Sequence, residues 1–217
     1  IIGQLAFGSA SFLSPIFYKF LLDNNNFLGL SLFGDEPWLW IYLLFIVSVS
    51  ALILFLFSLK IPDNKSDSEK FDFRIFSSFL KSRFSYFYFF GIFCYVGVEQ
   101  GINNWSSEFL YQYHSLDPAV VGVEVISAFW GNLTIGTVIN LFLIKLFDEK
   151  KLLNFYAISS SIIILLALHS YSEVSVISFK ILGFSISGIW SLMISLGLNS
   201  VPKNHSIFTG ILLTGIV

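Results

Sequence analysis

Tyr95-Val96-Gly97-Val98-Glu99-Gln100-Gly101-Ile102-Asn103-Asn104-Trp105 is the stretch on which the reading of this chain turns. It lies inside an apolar run, residues 84–110, long enough to cross a bilayer as a helix, for which roughly 20 mostly apolar residues suffice. Yet it carries one carboxylic acid and three carboxamides. An ionisable group at membrane depth is costly unless it faces a protein interior or a wet cavity, so Glu99 reads as a working residue on a path through the membrane. The plainer alternative is a buried ion pair or a protonated structural acid.

A helix turns by about 100° per residue. With Glu99 at zero, Asn103 falls at about 40°, Gln100 at about 100° and Asn104 at about 140°, while Val98, Ile102 and Trp105 are expected together on the opposite side. In hydrocarbon the polar arc would leave amides and a carboxyl without partners, so it must look into a bundle or a water-filled cavity. Gln100, Asn103 and Asn104 then either line that cavity or join helices by hydrogen bonds. Gly97 and Gly101 border the arc and are expected to admit a neighbouring helix closely or to let the helix unwind.

Working outward, the composition repeats the message of this stretch. Of 217 residues 55% are hydrophobic and 12% charged, with a mean hydropathy of +0.79. That leaves too little polar surface to clothe a globule in water. The pattern predicts an all-α, polytopic membrane protein with spans at 2–22, 38–59, 84–110, 119–147, 152–169 and 174–201, and a seventh beginning near Ser206 and cut off at Val217. The chain starts without Met inside an apolar run, so both ends read as cuts through a longer protein. The single Cys94 excludes an internal disulfide and a cysteine metal cluster. A net charge of −2 argues against a nucleic-acid partner. No metal or cofactor is expected.

Lysines and arginines set the orientation. Lys60, Lys65, Lys70, Arg74, Lys81 and Arg83 fall between the second and third spans, Lys145, Lys150 and Lys151 flank the fourth-to-fifth turn, and Lys203 follows the sixth. These three connections should be cytoplasmic. The intervening loops hold Asp23, Asp35, Glu36, Asp117 and Glu173 and no Lys or Arg. Within the long connection, residues 61–70 (IPDNKSDSEK) read as a polar linker between two helical bundles. After it, Phe73, Phe76, Leu80 and Phe84 share one face over residues 71–84, which fits a helix lying on the membrane surface or a solvated extension of the next span.

Other polar positions at membrane depth are candidates of lesser weight. Asn132 shares a face with Ala128, Gly131 and Gly136, a stripe that suits tight helix packing as well as a ligand contact. Trp130 lies beside that stripe, and Glu124 about a turn inside its span. Lys180, about 10 Å deep by helical rise, either snorkels outward or pairs with a carboxylate such as Glu99. Gln4 and Trp190 would by themselves read as core.

At this point the residues resemble a family. Gly3-Gln4-Leu5-Ala6-Phe7-Gly8 with Pro15, then Trp38-Leu39-Trp40-Ile41-Tyr42, a long basic connection and the 95–105 stretch are similar to the fifth to seventh helices of the major facilitator superfamily. The likeness is nearest to its fucose-permease-like, sugar–proton symporter branch. Phe129-Trp130-Gly131-Asn132-Leu133-Thr134-Ile135-Gly136 resembles the eighth helix, Leu146-Phe147-Asp148-Glu149-Lys150-Lys151 the loop after it, and Gly183-Phe184-Ser185-Ile186-Ser187-Gly188-Ile189-Trp190 the tenth. The chain departs from that branch at Thr137, where an arginine is common, and at Ser191, where a proline is common.

The resemblance implies a twelve-helix transporter of two six-helix bundles. Residues 1–60 would be the last two helices of the first bundle, 61–83 a cytoplasmic linker with an interfacial helix, and 84–217 the second bundle truncated in its fifth helix. Solute would bind between the bundles near mid-membrane, and the bundles would rock around it. The expected function is proton-coupled uptake of a sugar-like solute by a monomer in the inner membrane of a bacterium. Glu99 would carry the proton, and Gln100, Asn103, Asn104, Asn132 and Gln4 would bind solute hydroxyls. Trp130 or Trp190 would offer a flat surface to a sugar ring, and Lys180 would be a possible charge partner.

Two rival classes fit the same residues. A proton-coupled exporter of amphipathic compounds would use this fold, and 26 Phe suit such ligands. A non-transporting membrane receptor is the other. An intramembrane hydrolase is disfavoured, because His114, His169 and His205 fall in or beside loops and no span holds paired acids or a His-x-x-x-His pattern.

Overall fold

A computed structural model describes residues 2–23, 39–58 and 72–216 of the chain. Among them there is no strand. The helices are α1 (Ile2–Asp23), α2 (Trp40–Ser58), α3 (Phe73–Leu80), α4 (Arg83–His114), α5 (Val123–Leu146), α6 (Glu149–His169), α7 (Ser172–Ile186), α8 (Ile189–Asn199) and α9 (His205–Leu213). A π-turn, Pro118–Gly122, leads into α5, and a 3₁₀ turn, Thr214–Ile216, follows α9. The expected linker at 61–70 and residues 24–38 lie outside the described residues.

Four helical stretches among the described residues are long and apolar enough to cross a membrane: Ile41–Ser58, Pro118–Leu146, Glu149–His169 and Ser172–Asn199. These are the helices of a multi-pass membrane protein. Six full spans were expected, and α1 and α4 are not among the four. The 32 residues of α4 are ample in length, but its tyrosines, Glu99, Gln100, Asn103 and Asn104 dilute its apolar character. The expected sixth span is interrupted: α7 ends at Ile186 and α8 begins at Ile189, with Ser187 and Gly188 between them. The Ser187 hydroxyl donates to the Phe184 carbonyl at 2.8 Å, the local competition by which serine bends a helix. A Cβ on Gly188 would collide with the Tyr156 ring.

Aspartate side chains cap three helix starts among the described residues. Asp72 caps α3 by accepting from Arg74 N–H at 2.8 Å, Asp117 accepts from Ala119 N–H at 2.8 Å ahead of α5, and Asp148 accepts from Lys150 and Lys151 N–H at 3.1 Å each at the start of α6. Each satisfies helix amides that would otherwise lack partners. The acidic-basic turn at 146–151 thus has a structural use for its aspartate.

The chain divides into two compact units, Ser14–Ser68 in one and Ile1–Leu13 with Glu69–Val217 in the other. In the smaller unit α2 presents apolar side chains on every side, Leu54 at 71% and Phe57 at 87% exposure among them, which suits lipid or a partner helix. In the larger unit α5 and α7 pack most extensively against each other. Their contact is close because a Cβ on Gly183 would meet the Phe129 carbonyl oxygen, and one on Gly136 the Ser187 hydroxyl. Small residues let backbones approach where no hydrophobic effect drives helices together. Around this seam lie Val125, Phe129, Leu133, Phe179, Leu182 and Ile186, with Tyr95, Ile102 and Leu110 of α4 completing the core. The first turns of α1 join it: a Cβ on Gly131 would come within 3.0 Å of the Phe12 ring.

Candidate functional site

The middle of α4 supplies the site. Its packed side carries Ile92, Tyr95, Ile102, Ser106 and Leu110, and the polar arc straddles the border between that side and the open surface. Glu99 and Asn103 are half-buried, while Gln100 and Asn104 are exposed. This corrects the helical-wheel expectation in one respect. Ile102 is in the core at 6% exposure, whereas Val98 and Trp105, expected beside it, are exposed at 39% and 69%. The packed side is centred close to Glu99, so Ile102 falls within it and the other two do not. Gly97 and Gly101 border open space, with nothing near where a Cβ would stand. The close helix approach expected there occurs instead at Gly131, Gly136 and Gly183.

Glu99 is tied to its own helix. The Tyr95 hydroxyl, one turn earlier, donates to Glu99 Oε2. Tyr95 is buried, and its ring lies 6.4 Å from that of Trp190 on α8, tilted by 34°. Beside this pair, the Trp130 indole N–H of α5 donates to Asn103 Oδ1 at 2.7 Å. Asn103 Nδ2 in turn donates to Asn104 Oδ1 at 3.4 Å. Trp130 is 3% exposed and meets the edge of Phe7 from α1 at 5.2 Å between centroids. The two tryptophans therefore differ: the rings around Trp130 cover it, and Trp190 is half-buried. Glu99, Asn103, Trp130 and Trp190 come together in one region with Tyr95 as the link.

The other candidates lie apart. Asn132 Nδ2 donates to the backbone carbonyl of Lys180 at 2.9 Å, so its amide joins α5 to α7. The Lys180 ammonium contacts Glu124 Oε1 at 2.6 Å, with the lysine side chain 22% and the glutamate side chain 63% exposed. Its carboxylate partner is Glu124, nearer the end of α5, and not Glu99. A four-carbon stem reaching toward the helix ends explains the choice, since there the charges keep water. Gln4 falls in α1, but its side chain lies outside the described residues.

Two features escaped the reading of the sequence. Tyr95 is four residues before Glu99, the spacing that places two side chains on one helix face, and that spacing was the available signal. The other is a buried polar node in which the Tyr156 hydroxyl of α6 donates to Asn140 Oδ1 of α5 at 3.3 Å. No pattern in the sequence pairs those two helices at those positions.

Comparison with known proteins gives one direction. The chain is 26% identical over 182 residues to the glucose/galactose transporters of Brucella abortus biovar 1 (strain 9-941) and of Brucella abortus (strain 2308). The match covers 81% of this chain and 43% of each relative, so the chain spans less than half the length of the curated relatives it matches. No family model matches, and no solved structure matches significantly. A distant likeness to sugar transporters agrees with the resemblance carried by the motifs.

Proposed function

From this likeness to glucose/galactose transporters, we propose that the protein is a secondary transporter of the major facilitator type that takes up a hexose-like sugar with a proton by alternating access. One observation carries the reading: Glu99, bound by Tyr95, sits near Trp190 and the Asn103–Trp130 pair on a helix face that also presents the exposed amide of Gln100. Gln100 makes no hydrogen bond among the described residues and is exposed. An amide offers both donors and an acceptor, which matches the alternating demands of sugar hydroxyls. Trp190 gives the sugar ring an apolar face, and Asn103 holds Trp130 in one orientation beside it.

Coupling follows from the cost of burying charge. Open to water, Glu99 exchanges its proton freely. In the occluded state an unpaired carboxylate would be stranded at low dielectric, so the cavity closes readily only with Glu99 protonated. Tyr95 keeps one carboxyl oxygen bonded in either form. The two bundles then rock about the bound sugar and release it with the proton on the other side.

The test is uptake by the full-length protein in proteoliposomes, with a panel of labelled monosaccharides, with and without an inward proton gradient. Gradient-dependent accumulation of a hexose is expected. Absence of uptake for every sugar tested would overturn the assignment.

A further inference from the structure

The turn Ser200-Val201-Pro202-Lys203-Asn204 joins α8 to α9 and faces the short helix α3. Between them is a hollow of about 400 Å³, within the volume range of small-ligand sites. Its walls are of two kinds. Phe79 and Phe84 form an apolar floor, held from behind by Phe208 of α9 at 5.4 and 5.8 Å between ring centroids. Lys203, Asn204 and Ser82 form a polar rim. Asn204 takes a left-handed conformation, φ 63° and ψ 38°, and its side chain does not cap α9.

Among the described residues Lys203 is the charged member of the lining and has no ion-pair partner. The ion pair found among the described residues is Lys180–Glu124, at the other end of the bundle. Lys203 is exposed, as are Lys81, Arg83 and Arg74 on and beside α3, and none has a carboxylate within ion-pair distance among the described residues. Asp72, the residue before α3, is engaged in capping that helix. Phe73 at 72% and Leu80 at 41% exposure lie on the same short helix. A helix with exposed apolar residues and flanking cations is built for the boundary between headgroups and acyl chains. The lysine and arginine bias assigns this end of the bundle to the cytoplasm, where anionic lipids concentrate.

We propose that this hollow binds the phosphate headgroup of an anionic phospholipid from the cytoplasmic leaflet, with Lys203 as its main cation. Asn204 and Ser82 donate to phosphate or glycerol oxygens, and Phe79 and Phe84 cover the first carbons of the lipid. A free inorganic anion would leave the aromatic floor unused, which is why a lipid is the fitting occupant. This inference rests on the membrane orientation and is independent of the transported solute.

The experiment is native mass spectrometry of the full-length protein in detergent, titrated with phosphatidylglycerol or with phosphatidylcholine of the same chains. The wild type should retain phosphatidylglycerol in preference. Lys203→Gln should lower that retention about five-fold, the worth of one cation near an anionic headgroup, with phosphatidylcholine unchanged. Lys203→Arg should restore it, and Lys150→Gln, a cation of the same side away from the hollow, should have no effect. Equal retention of the two lipids, or an unchanged Lys203→Gln, would overturn the site. So would an equal loss in Lys150→Gln, or displacement of the lipid by millimolar inorganic phosphate.

Discussion

A carboxyl group that serves two openings of one cavity needs a neighbour that tolerates both of its protonation states. In the proposed cycle Tyr95 would do this for Glu99, since it donates to one carboxyl oxygen and leaves the other unbonded to it. Replacing Glu99 by Gln keeps the size and a hydrogen-bonding carbonyl but removes the titration. In proteoliposomes Glu99→Gln should retain sugar counterflow and lose gradient-driven accumulation above the external concentration. Accumulation equal to wild type would remove Glu99 from coupling. At this scale the clustering was legible: helical spacing alone puts one acid and three amides of α4 on a single arc. Pairing was not. Asn103 with Trp130, Asn132 with the Lys180 carbonyl and Lys180 with Glu124 are contacts between helices, and helical spacing says nothing about the neighbouring helix.

Among elements, glycine positions separate the helices that pack from the one that stays open. Gly183 stands where α5 comes closest, against the Phe129 carbonyl, and backbone cannot swing aside as a flexible side chain can. Gly183→Val should destabilise the protein by about 1–3 kcal/mol, the usual cost of overpacking, visible as a lower melting temperature in detergent. Gly101→Ala meets open space and removes a residue of poor helix propensity, so it should leave stability unchanged or raise it by up to about 1 kcal/mol. A melting temperature lowered equally by both changes would contradict this assignment of the α5–α7 seam. The reading of small residues as packing residues held for Gly131 and Gly136 on α5. For Gly97 and Gly101 it did not, because a small residue permits close approach without supplying the helix that approaches. The break between α7 and α8 was likewise hidden, since Ser187-Gly188 interrupts no apolar run and only the Tyr156 ring shows why the turn is there.

For the molecule as a whole, the alternation of basic and acidic connections predicts sidedness. The single Cys94 makes this simple to examine. In a Cys94→Ser background, Glu173→Cys should react with an impermeant maleimide added outside intact cells, and Lys203→Cys only after permeabilisation. The reverse pattern would invert the orientation and remove the cytoplasmic leaflet from the lipid site. The sequence suffices for the apolar, membrane-type surface, the helical class and the gathering of one acid and three amides on one arc of α4. Each follows from residue type at a short, regular spacing, which acts before any helix meets another. What tertiary structure alone decided was the partner of each polar group and which part of the polar arc is packed. It also decided where the last long span is interrupted, and that a turn and a short helix about 120 residues apart in sequence border one open hollow that includes Lys203. Those outcomes depend on which helix lies beside which, and lateral packing in a membrane is chosen by close fit and hydrogen bonding between surfaces distant in the chain.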